Sequence, residues 1–418
     1  MNANIPLKRV ARVQYGLGQP PKLSDYGVPI LRATNITRGK ITESGLLRAK
    51  LEDLPIERAP LLREGEILVV RSGAYTGDSA RVSGKWIGSA PGYDLRVTPQ
   101  GADSRYLAHS LLSSVALDQM KLASSRAAQP HLNADELGGV ELWFPSLDEQ
   151  RRIADFLDAE TARMAQLTTA LHRFDQDVRE RERTVLANVL NADTQEAQDD
   201  LPSGWRWTPL MHLTDQFRQI MYGIVLPGPN VPDGVPIVKG GDVAANRLSL
   251  ATLNRTTHEV ESSYERSRLI GGDLVIAIRG SVGELATVPT ELAGANLTQD
   301  AARISIGAST NRNWLRLVLG SPLVAHQIQK RITGATIKGI NIWDLKRVMI
   351  PTPNPAVQKT LAQKAGGAIA THEALRSRVA QHRKLVAERR QALITAAVTG
   401  QFDVSTASGR NVTDGVTA

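Results

Sequence analysis

The sequence predicts an α+β protein in which two similar globular domains are separated by two long helices. Three observations lead to this prediction. The chain repeats itself after about half its length, short apolar runs separated by Gly, Pro and Asn fill one part of each repeat, and a long heptad pattern fills the other. Because solenoid repeats run to roughly 20–50 residues, a period this long indicates two copies of a whole domain with its own helix.

The repeat is visible in matched positions along the chain. A shift of 208 residues places Asn133 on Asn341, and a shift of about 207 places Tyr15-Gly16 on Tyr222-Gly223. Further matched positions are Leu137 and Leu345, Val140 and Val348, Pro145 and Pro353, and Gln150 and Gln358. This predicts a pseudo-twofold internal repeat, which suits a partner that itself has two similar ends.

The globular part of each copy is predicted to be compact and mixed. In the first copy, residues 67–70, 80–82 and 95–97 have the composition of strands, and 104–123 carry an apolar helical stripe. The second copy has strands at 274–278 and 285–288 and a helix near 313–331. We therefore predict a first domain over residues 1–145 and a second over 205–353.

Two heptad patterns predict long helices over residues 146–192 and 354–402. The first apolar seam comprises Leu157, Met164, Leu167, Leu171, Phe174, Val178 and Val185. The second comprises Leu361, Leu375, Val379, Val386 and Leu393, and is interrupted by His372 and His382. Matching seams in one chain predict that the helices pack together as an antiparallel coiled coil, although each could also bury its stripe as a simple bundle element. About 37 helical residues would span roughly 55 Å.

The remaining segments are predicted to lack regular structure. Residues 193–204 are polar and contain Pro and Gly, as expected of a linker, and residues 403–418 are predicted to be a frayed tail.

Composition narrows the class of protein. The net charge of +8 and pI near 9.7 favour an anionic partner. The absence of Cys excludes disulfides and thiolate metal sites, and favours a reducing compartment. The sequence contains no signal peptide pattern and no apolar run long enough for a membrane span, so we expect a cytoplasmic protein with no membrane partner.

No catalytic residues are predicted. The sequence has no phosphate-binding loop, no dinucleotide-binding glycine motif, no His-Glu-x-x-His and no Gly-x-Ser-x-Gly. Paired carboxylates such as Glu52-Asp53 and Asp135-Glu136 are interpreted as solvated or helix-start residues. Eight scattered histidines without cysteines argue against structural zinc, so no metal site is predicted.

Two loops are candidate DNA contacts. The first leaves a predicted strand between glycines and carries Arg71, Ser72, Tyr75 and Thr76, and its counterpart carries Arg279 and Ser281. Arginine, hydroxyl and aromatic side chains on a glycine-flanked loop suit phosphate and base contacts. An ordinary hairpin turn repeated by a shared fold explains the same pattern, so both interpretations stay open.

The second candidate precedes the matched asparagines. It carries Arg126, Gln129 and His131 in the first copy and Thr336 and Lys338 in the second. The two copies diverge here while their flanks agree, as expected of a reading surface on a fixed frame. A tolerant surface loop would diverge in the same way.

The ordered set of motifs resembles the specificity subunit of type I restriction–modification systems, over nearly all of the chain to about residue 402. The junction Phe144–Ala154, repeated at Ile350–Ala362, is the most telling segment. The segments Val28–Ile36 and Gly65–Gly73 and the run Leu201–Trp205 add to it. Each motif is weak alone, and the resemblance lies in their order and repetition.

This resemblance implies a non-catalytic DNA reader. Each of two target-recognition domains would read one half of a split target on double-stranded DNA, and the helices would set the unread spacer. A rod of roughly 55 Å corresponds to about 16 base pairs at 3.4 Å each, which is an upper bound on the separation between the centres of the two halves. The subunit would bind no cofactor itself. It would dock two methyltransferase subunits, which supply S-adenosylmethionine and catalysis, and restriction subunits, which cut and translocate DNA.

Other functions are weighed against this one. A DNA methyltransferase with its own recognition domain needs a cofactor-binding glycine loop and an Asn/Asp-Pro-Pro-aromatic motif, and the sequence contains neither. A two-lobed protein scaffold with no DNA role agrees less well with the basic lobes. The specificity subunit of another restriction class that uses the same architecture also fits the sequence.

Overall fold

The computed structural model of the chain describes residues 3–73, 75–124, 131–189, 201–244, 247–333 and 338–404. The chain divides into two compact units. The first unit comprises Met1–Ala170 and His382–Ala418, and the second comprises Leu171–Gln381. Most of the predicted linker and the predicted tail from residue 405 onward lie outside the described residues.

The described residues of the first unit form short strands, three short helices and parts of both long helices. Its elements are β1 (Ala3–Pro6), β2 (Ala11–Tyr15), β3 (Leu23–Ser24), β4 (Val28–Ile30), β5 (Ile36–Thr37), β6 (Lys40–Ile41), β7 (Leu47–Ala49), β8 (Ile67–Val69), β9 (Ser79–Arg81), β10 (Leu95–Pro99), α1 (Ser104–Leu111), α2 (Ser114–Ser124), α3 (Ala134–Gly138), β11 (Glu141–Phe144) and the start of α4 (Leu147–Val189).

The principal sheet of the first unit has the antiparallel order β2-β10-β8-β9. Leu95 at the start of β10 pairs with Tyr15 at the end of β2 and with Val69 at the end of β8. This register brings the residues that follow β2 and β8 and those that precede β10 to one edge of the sheet. A separate pair, β1 with β11, joins the beginning of the unit to the strand before α4.

The second unit has a related layout. Its elements are β12 (Arg206–Pro209), β13 (Met221–Tyr222), β14 (Val235–Val238), β15 (Asn254–Thr256), α5 (His258–Ser262), β16 (Leu274–Ala277), β17 (Leu285–Thr287), β18 (Asn296–Leu297), β19 (Ala301–Ile304), α6 (Arg312–Leu319), α7 (Pro322–Lys330), α8 (Ile342–Lys346), β20 (Met349–Thr352) and most of α9 (Pro355–Val398). Its principal sheet has the order β13-β19-β16-β17, and β12 pairs with β20. Strands and helices together make the protein α+β.

Apolar runs form the central strands because both faces of these strands are covered. Ile67, Leu68 and Val69 of β8 are fully buried, as are the four residues of β16. In the first unit, Ile67 and Val69 pack with the helices while Leu68 packs on the opposite side of the sheet. Alternate residues of one short strand therefore stabilise two apolar clusters.

A buried carboxylate stands immediately before each of these central strands. Glu66 accepts hydrogen bonds from Nε and Nη2 of Arg96, at 2.9 and 2.6 Å, and from the Thr98 hydroxyl at 2.8 Å. In the second unit, both carboxylate oxygens of Asp273 accept hydrogen bonds from Arg218 at 2.8 Å. Pairing of this kind allows ionised groups inside a fold, where an unpaired charge would be strongly destabilising.

The single helix predicted over 104–123 is two helices in the structure, and that prediction was wrong. The Ser113 hydroxyl accepts a hydrogen bond from the Ala116 amide at 3.2 Å, as a capping residue does at the start of a new helix. The second copy is interrupted at the equivalent place, where Ser321 caps α7 and Pro322 occupies its first turn. An apolar stripe continues across such a break, so periodicity alone does not reveal it.

Matched glutamines connect each long helix to the domain before it. Gln150 donates to the Pro145 carbonyl at 2.9 Å and accepts from the Asp103 amide at 3.0 Å. Gln358 donates to the Pro353 carbonyl at 2.9 Å and accepts from the Asn311 amide at 2.8 Å. The two hydrogen bonds that each glutamine makes satisfy polar groups that would otherwise be buried without partners.

Both long helices contribute to the core of each unit. In the first unit, Ile153, Leu157 and Met164 of α4 pack with Leu393 and other apolar residues at the end of α9. In the second unit, Leu186 near the end of α4 belongs to one cluster with residues at the start of α9: Ala362, Ala365 and Ile369.

The predicted apolar seam is buried only in part. Leu157, Met164, Val178, Val379 and Leu393 are buried, whereas Leu167 is 49% exposed and Phe174 is 44% exposed. The prediction that these last two residues are enclosed in a seam was wrong. A helix with 3.6 residues per turn drifts by about 20° per heptad from a strict seven-residue repeat, so members of one series rotate away from a common neighbour. The other predicted positions, Leu171, Val185, Leu361, Leu375 and Val386, are half-buried.

Candidate nucleic-acid interface

Arg71 and Ser72 lie two and three residues after the end of β8, at the edge of the sheet where β2 ends and β10 begins. The chain then makes a tight hairpin to β9, with Gly77 donating to the Val70 carbonyl at 2.8 Å. Gly73 and Gly77 have φ values of +89° and +91°, which residues with a Cβ rarely adopt. The glycines therefore fix a turn that presents the side chains around it.

His131 joins this turn from a distant part of the sequence. Ser72 and His131 form an antiparallel bridge, and the Leu132 amide donates to the Arg71 carbonyl at 2.8 Å. The Arg71 Nη2 lies 2.6 Å from Nε2 of His131, and the Ser72 Oγ lies 2.8 Å from its Nδ1. Since arginine can only donate, Nε2 must accept, which assigns the proton of a neutral imidazole to Nδ1 and makes Ser72 its acceptor.

Two tyrosines flank the Arg71 guanidinium. Its central carbon lies 4.7 Å from the centroid of the Tyr15 ring and 4.4 Å from that of the Tyr93 ring. The Tyr15 hydroxyl accepts a hydrogen bond from the Ala134 amide at 3.2 Å, which fixes the ring at the start of α3. Cation–π contacts of this kind hold an arginine in one orientation.

Asp94 supports the turn from inside the protein. Its Oδ1 accepts a hydrogen bond from the Arg71 amide at 3.1 Å, and its side chain is almost completely enclosed. Burial raises the pKa of Asp94 to about 6, against the smaller lowering effects of hydrogen bonds from the Arg71 and Ala33 backbones. Shifted acids of this kind are typical of functional sites.

The second unit has the same backbone arrangement with different side chains. Arg279 lies two residues after β16 and forms a bridge with Gly339, and the Gly280 amide donates to the Lys338 carbonyl at 3.2 Å. The Arg279 Nη1 lies 4.0 Å from Asp300, and its side chain is 47% exposed. Ser281 and Lys338 are also exposed.

An exposed aromatic residue lies close to this second turn in the sequence. Trp343, on α8, is 62% exposed, and the Arg347 guanidinium carbon lies 3.7 Å from its ring centroid. Asn341 caps the start of this helix, and its Oδ1 accepts a hydrogen bond from the Asp344 amide at 2.8 Å. In the first unit, Asn133 caps α3 in the same way, with a hydrogen bond of 2.8 Å from the Glu136 amide.

The structure brings together part of the predicted set. Arg71, Ser72 and His131 are in direct contact, while Tyr75 and Thr76 lie on the same hairpin, Tyr75 exposed and Thr76 bonded to the Gly73 carbonyl at 2.7 Å. The predicted residues Arg126, Gln129 and Thr336 lie outside the described residues. DNA contact by any member of the set stays a prediction.

Sequence reasoning missed Tyr15, Tyr93, Asp94, Trp343 and Arg347. A signal existed for Tyr15, because Tyr15-Gly16 is one of the matched positions of the repeat. The proximity of Tyr15 to Arg71 depends on how β2 and β8 pair with β10. The sequence pattern of a single segment does not specify that pairing.

Two further properties concern the described residues only. No group of three or more His, Asp or Glu side chains in this part of the chain is arranged to hold a metal ion. Of the helices that can be described, none combines the length and the apolarity that a membrane span requires.

Comparison with known proteins identifies relatives. Residues 18–172 match the family model of the type I restriction modification DNA specificity domain. The chain is similar to the specificity subunit of the type I restriction enzyme EcoBI from Escherichia coli, with 24% identity over 329 residues, 74% of this chain and 68% of that protein.

One solved structure shares the fold of this chain. A chain from a study of complex assembly and conformational transition of the type I R-M system has a TM-score of 0.59 and 20% identity, covering 96% of this chain and 98% of that one. The HsdS subunit from Thermoanaerobacter tengcongensis, also 20% identical, gives a TM-score of 0.41 over 96% of this chain and 97% of its own. Residues 18–172 therefore match a type I restriction modification DNA specificity domain, the chain is similar in sequence to the E. coli specificity subunit, and it shares its fold with the first of these structures.

Proposed function

We propose that this chain reads a two-part sequence on double-stranded DNA and directs partner methyltransferase subunits to it. Each unit would read one half of the target through the edge of its principal sheet. The chain itself would contribute recognition, and its partners would contribute S-adenosylmethionine, methyl transfer and, in the restriction complex, DNA cleavage.

The observation that carries this proposal is the repeated construction of the two sheet edges. In each unit, the turn after the central strand forms an antiparallel bridge with the segment that leads into an asparagine-capped helix, Ser72 with His131 and Arg279 with Gly339, and each turn carries an arginine. A constant backbone with different side chains is what a reader of two unlike half-sites requires. Glycines at both turns also allow the backbone to approach a duplex closely.

The charge of the chain supports an anionic partner at these edges. The chain has 50 basic and 42 acidic residues, and the candidate residues add exposed cations at Arg279 and Lys338. Binding to a phosphate backbone releases counterions, so we expect affinity to fall steeply as salt is raised.

The pairing of α4 with α9 as an antiparallel coiled coil is the second part of the proposal. Within the first unit, the early part of α4 packs against the end of α9, and within the second unit the later part of α4 packs against earlier residues of α9. Arg376 of α9 adds ion pairs with Asp175 at 3.6 Å and Glu182 at 3.4 Å. Such a pair would set the number of unread base pairs and offer docking surfaces for two methyltransferase subunits.

The direct test is the methylation pattern of DNA from a host that expresses this chain with the methyltransferase of the same system. Long-read sequencing should reveal a split motif that disappears when the gene for this chain is deleted. Replacing residues 1–145 with the first domain of a related subunit should change one half of that motif and leave the other half unchanged. Methylation that does not depend on this chain would instead favour a scaffold without a DNA role.

A further inference from the structure

We propose that Arg71 recognises a guanine in the half-site read by the first unit, and that Tyr15, Tyr93 and His131 hold its guanidinium in the reading position. This inference rests on the proposed function, because it assumes that the edge of the first sheet faces DNA. It goes beyond that function by naming the base, the reading atoms and the positioning residues.

The first step is that the guanidinium cannot rotate freely. Two rings contact it, at 4.7 Å for Tyr15 and 4.4 Å for Tyr93, and Nη2 is anchored to His131 at 2.6 Å. The Arg71 amide is fixed to Asp94 at 3.1 Å, so the backbone of the residue is held as well. An arginine that is oriented before binding loses little conformational entropy when it recognises a ligand.

The second step identifies the free donors. Nε of Arg71 is enclosed and has no hydrogen-bond partner among the described residues. The described part of the chain also provides no hydrogen bond to Nη1, and Nη2 keeps one hydrogen after it donates to His131. The Nη1–Nη2 edge therefore retains three of its four hydrogens, both of those on Nη1 and one on Nη2, for a ligand with two acceptors.

Guanine matches this edge in the major groove. Its O6 and N7 are adjacent, coplanar acceptors, whereas adenine presents an amino donor in place of O6, and each pyrimidine lacks the N7 acceptor. Placing any other base opposite Arg71 would leave at least one desolvated donor unpaired. We therefore expect the fixed guanidinium of Arg71 to discriminate guanine from the other three bases.

A DNA phosphate is the competing acceptor, and the geometry disfavours it. A phosphate accepts hydrogen bonds from many directions and needs no clamp on the arginine. Here two rings and an imidazole fix the plane of the guanidinium, which is useful for a planar partner. The alternative is nevertheless an outcome of the experiment, because a phosphate contact carries no sequence preference.

The experiment selects DNA from a randomised duplex library with the full chain in complex with the methyltransferase of its system. We expect the wild-type complex to enrich a two-part motif that contains a guanine in one half. Arg71→Gln should abolish the preference at that single position, a loss of about 5- to 150-fold in discrimination, and leave the other half of the motif intact. The intact half shows that the variant is folded and assembled.

A matched control and an altered base complete the test. Arg12→Gln changes the same charge at an exposed position on β2 and should leave every base preference unchanged. Replacing the target guanine with 7-deazaguanine removes N7 alone, and should weaken binding by wild type but not by Arg71→Gln.

Tyr93→Leu should weaken binding to the guanine-containing site without changing which base is preferred, whereas Tyr93→Phe, which keeps the ring, should bind like wild type.

The outcomes separate the inference from the proposed function. If Arg71→Gln weakens binding uniformly across sequences and lowers the salt dependence, Arg71 contacts a phosphate and the inference is wrong. If the variant selects the wild-type motif unchanged, the inference is also wrong, while the DNA-reading function stands. If the wild-type complex enriches no motif, the proposed function itself fails.

Discussion

Asp94 offers a test of the electrostatics of the candidate site. Its carboxylate is buried, its pKa is raised from 3.8 to about 6, and it accepts a hydrogen bond from the Arg71 amide. A raised pKa means that the folded state holds the proton more tightly than the unfolded state. Asp94 therefore imposes no electrostatic penalty on folding below pH 3.8, and its penalty grows as pH rises and is complete above about pH 6.

The size of this penalty follows from the shift. A difference of about two units corresponds to about 3 kcal/mol at pH 8, and to about 1 kcal/mol at pH 4.5, where the unfolded carboxylate is mostly ionised but the folded one is not. Asp94→Asn removes the penalty at every pH. Asparagine also has one acceptor oxygen where the carboxylate has two, which adds a cost that does not depend on pH. Between pH 4.5 and pH 8, the variant should therefore gain about 2 kcal/mol relative to wild type.

Hydrogen exchange measured by mass spectrometry can localise this gain. For peptides that cover β8 and β10, we compare the exchange rate of wild type with that of Asp94→Asn at each pH. The ratio of the wild-type rate to the variant rate should be about 30-fold larger at pH 8 than at pH 4.5. Peptides that cover β16 and β19 provide an internal reference in the second unit. Asp300→Asn is the matched control, because Asp300 also precedes a strand of the principal sheet but its side chain is 43% exposed.

The reasoning would be refuted if the ratio of exchange rates between Asp94→Asn and wild type were the same at both pH values. That result would mean that the carboxylate is equally ionised in the folded and unfolded chain, and that its burial has no electrostatic consequence. A pH-dependent gain of the same size in Asp300→Asn would also refute it.

Two further predictions concern stability and can be measured by chemical denaturation of the full chain. Glu66→Ala should destabilise the first unit by about 3–5 kcal/mol because it leaves the buried Arg96 without its counterion, whereas Glu64→Ala, which breaks an exposed pair, should cost about 0–1 kcal/mol. Comparable costs for the two variants would contradict this. Leu157→Ala should cost about 2–5 kcal/mol and Leu167→Ala less than about 0.5 kcal/mol, because only the former side chain is enclosed. A cost for Leu167→Ala as large as that for Leu157→Ala would contradict this.

The parts of the fold that could be predicted depend on local pattern. The long helices were predicted over 146–192 and 354–402, and they span Leu147–Val189 and Pro355–Val398. Heptad spacing, and the absence of proline beyond the first residue of either helix, specify such elements from their own residues. The break between α1 and α2 was missed because it depends on one serine hydroxyl, which caps the second helix without interrupting the apolar stripe.

The candidate site could be predicted only where it lies on one segment. Arg71 and Ser72 were identified because glycines and a strand surround them in the sequence. Tyr15 and Tyr93 were not, because their positions beside Arg71 follow from the pairing of β2 and β8 with β10, three segments that are far apart in the chain. Non-local strand register of this kind is not contained in the composition of any one segment.

The two sheet edges differ in a way that bears on how the halves of a target would be read. Arg71 is fixed by two rings and an imidazole, whereas Arg279 is nearly half exposed and its nearest carboxylate lies at 4.0 Å. An arginine that is held by several contacts discriminates bases through geometry, but one with fewer contacts contributes mainly charge and loses more entropy on binding. Base recognition by the second unit would therefore depend more on other side chains, of which the exposed Trp343, with Arg347 stacked on it, is one candidate. A repeated backbone thus need not imply a repeated recognition chemistry, and an asymmetric target is the expected consequence.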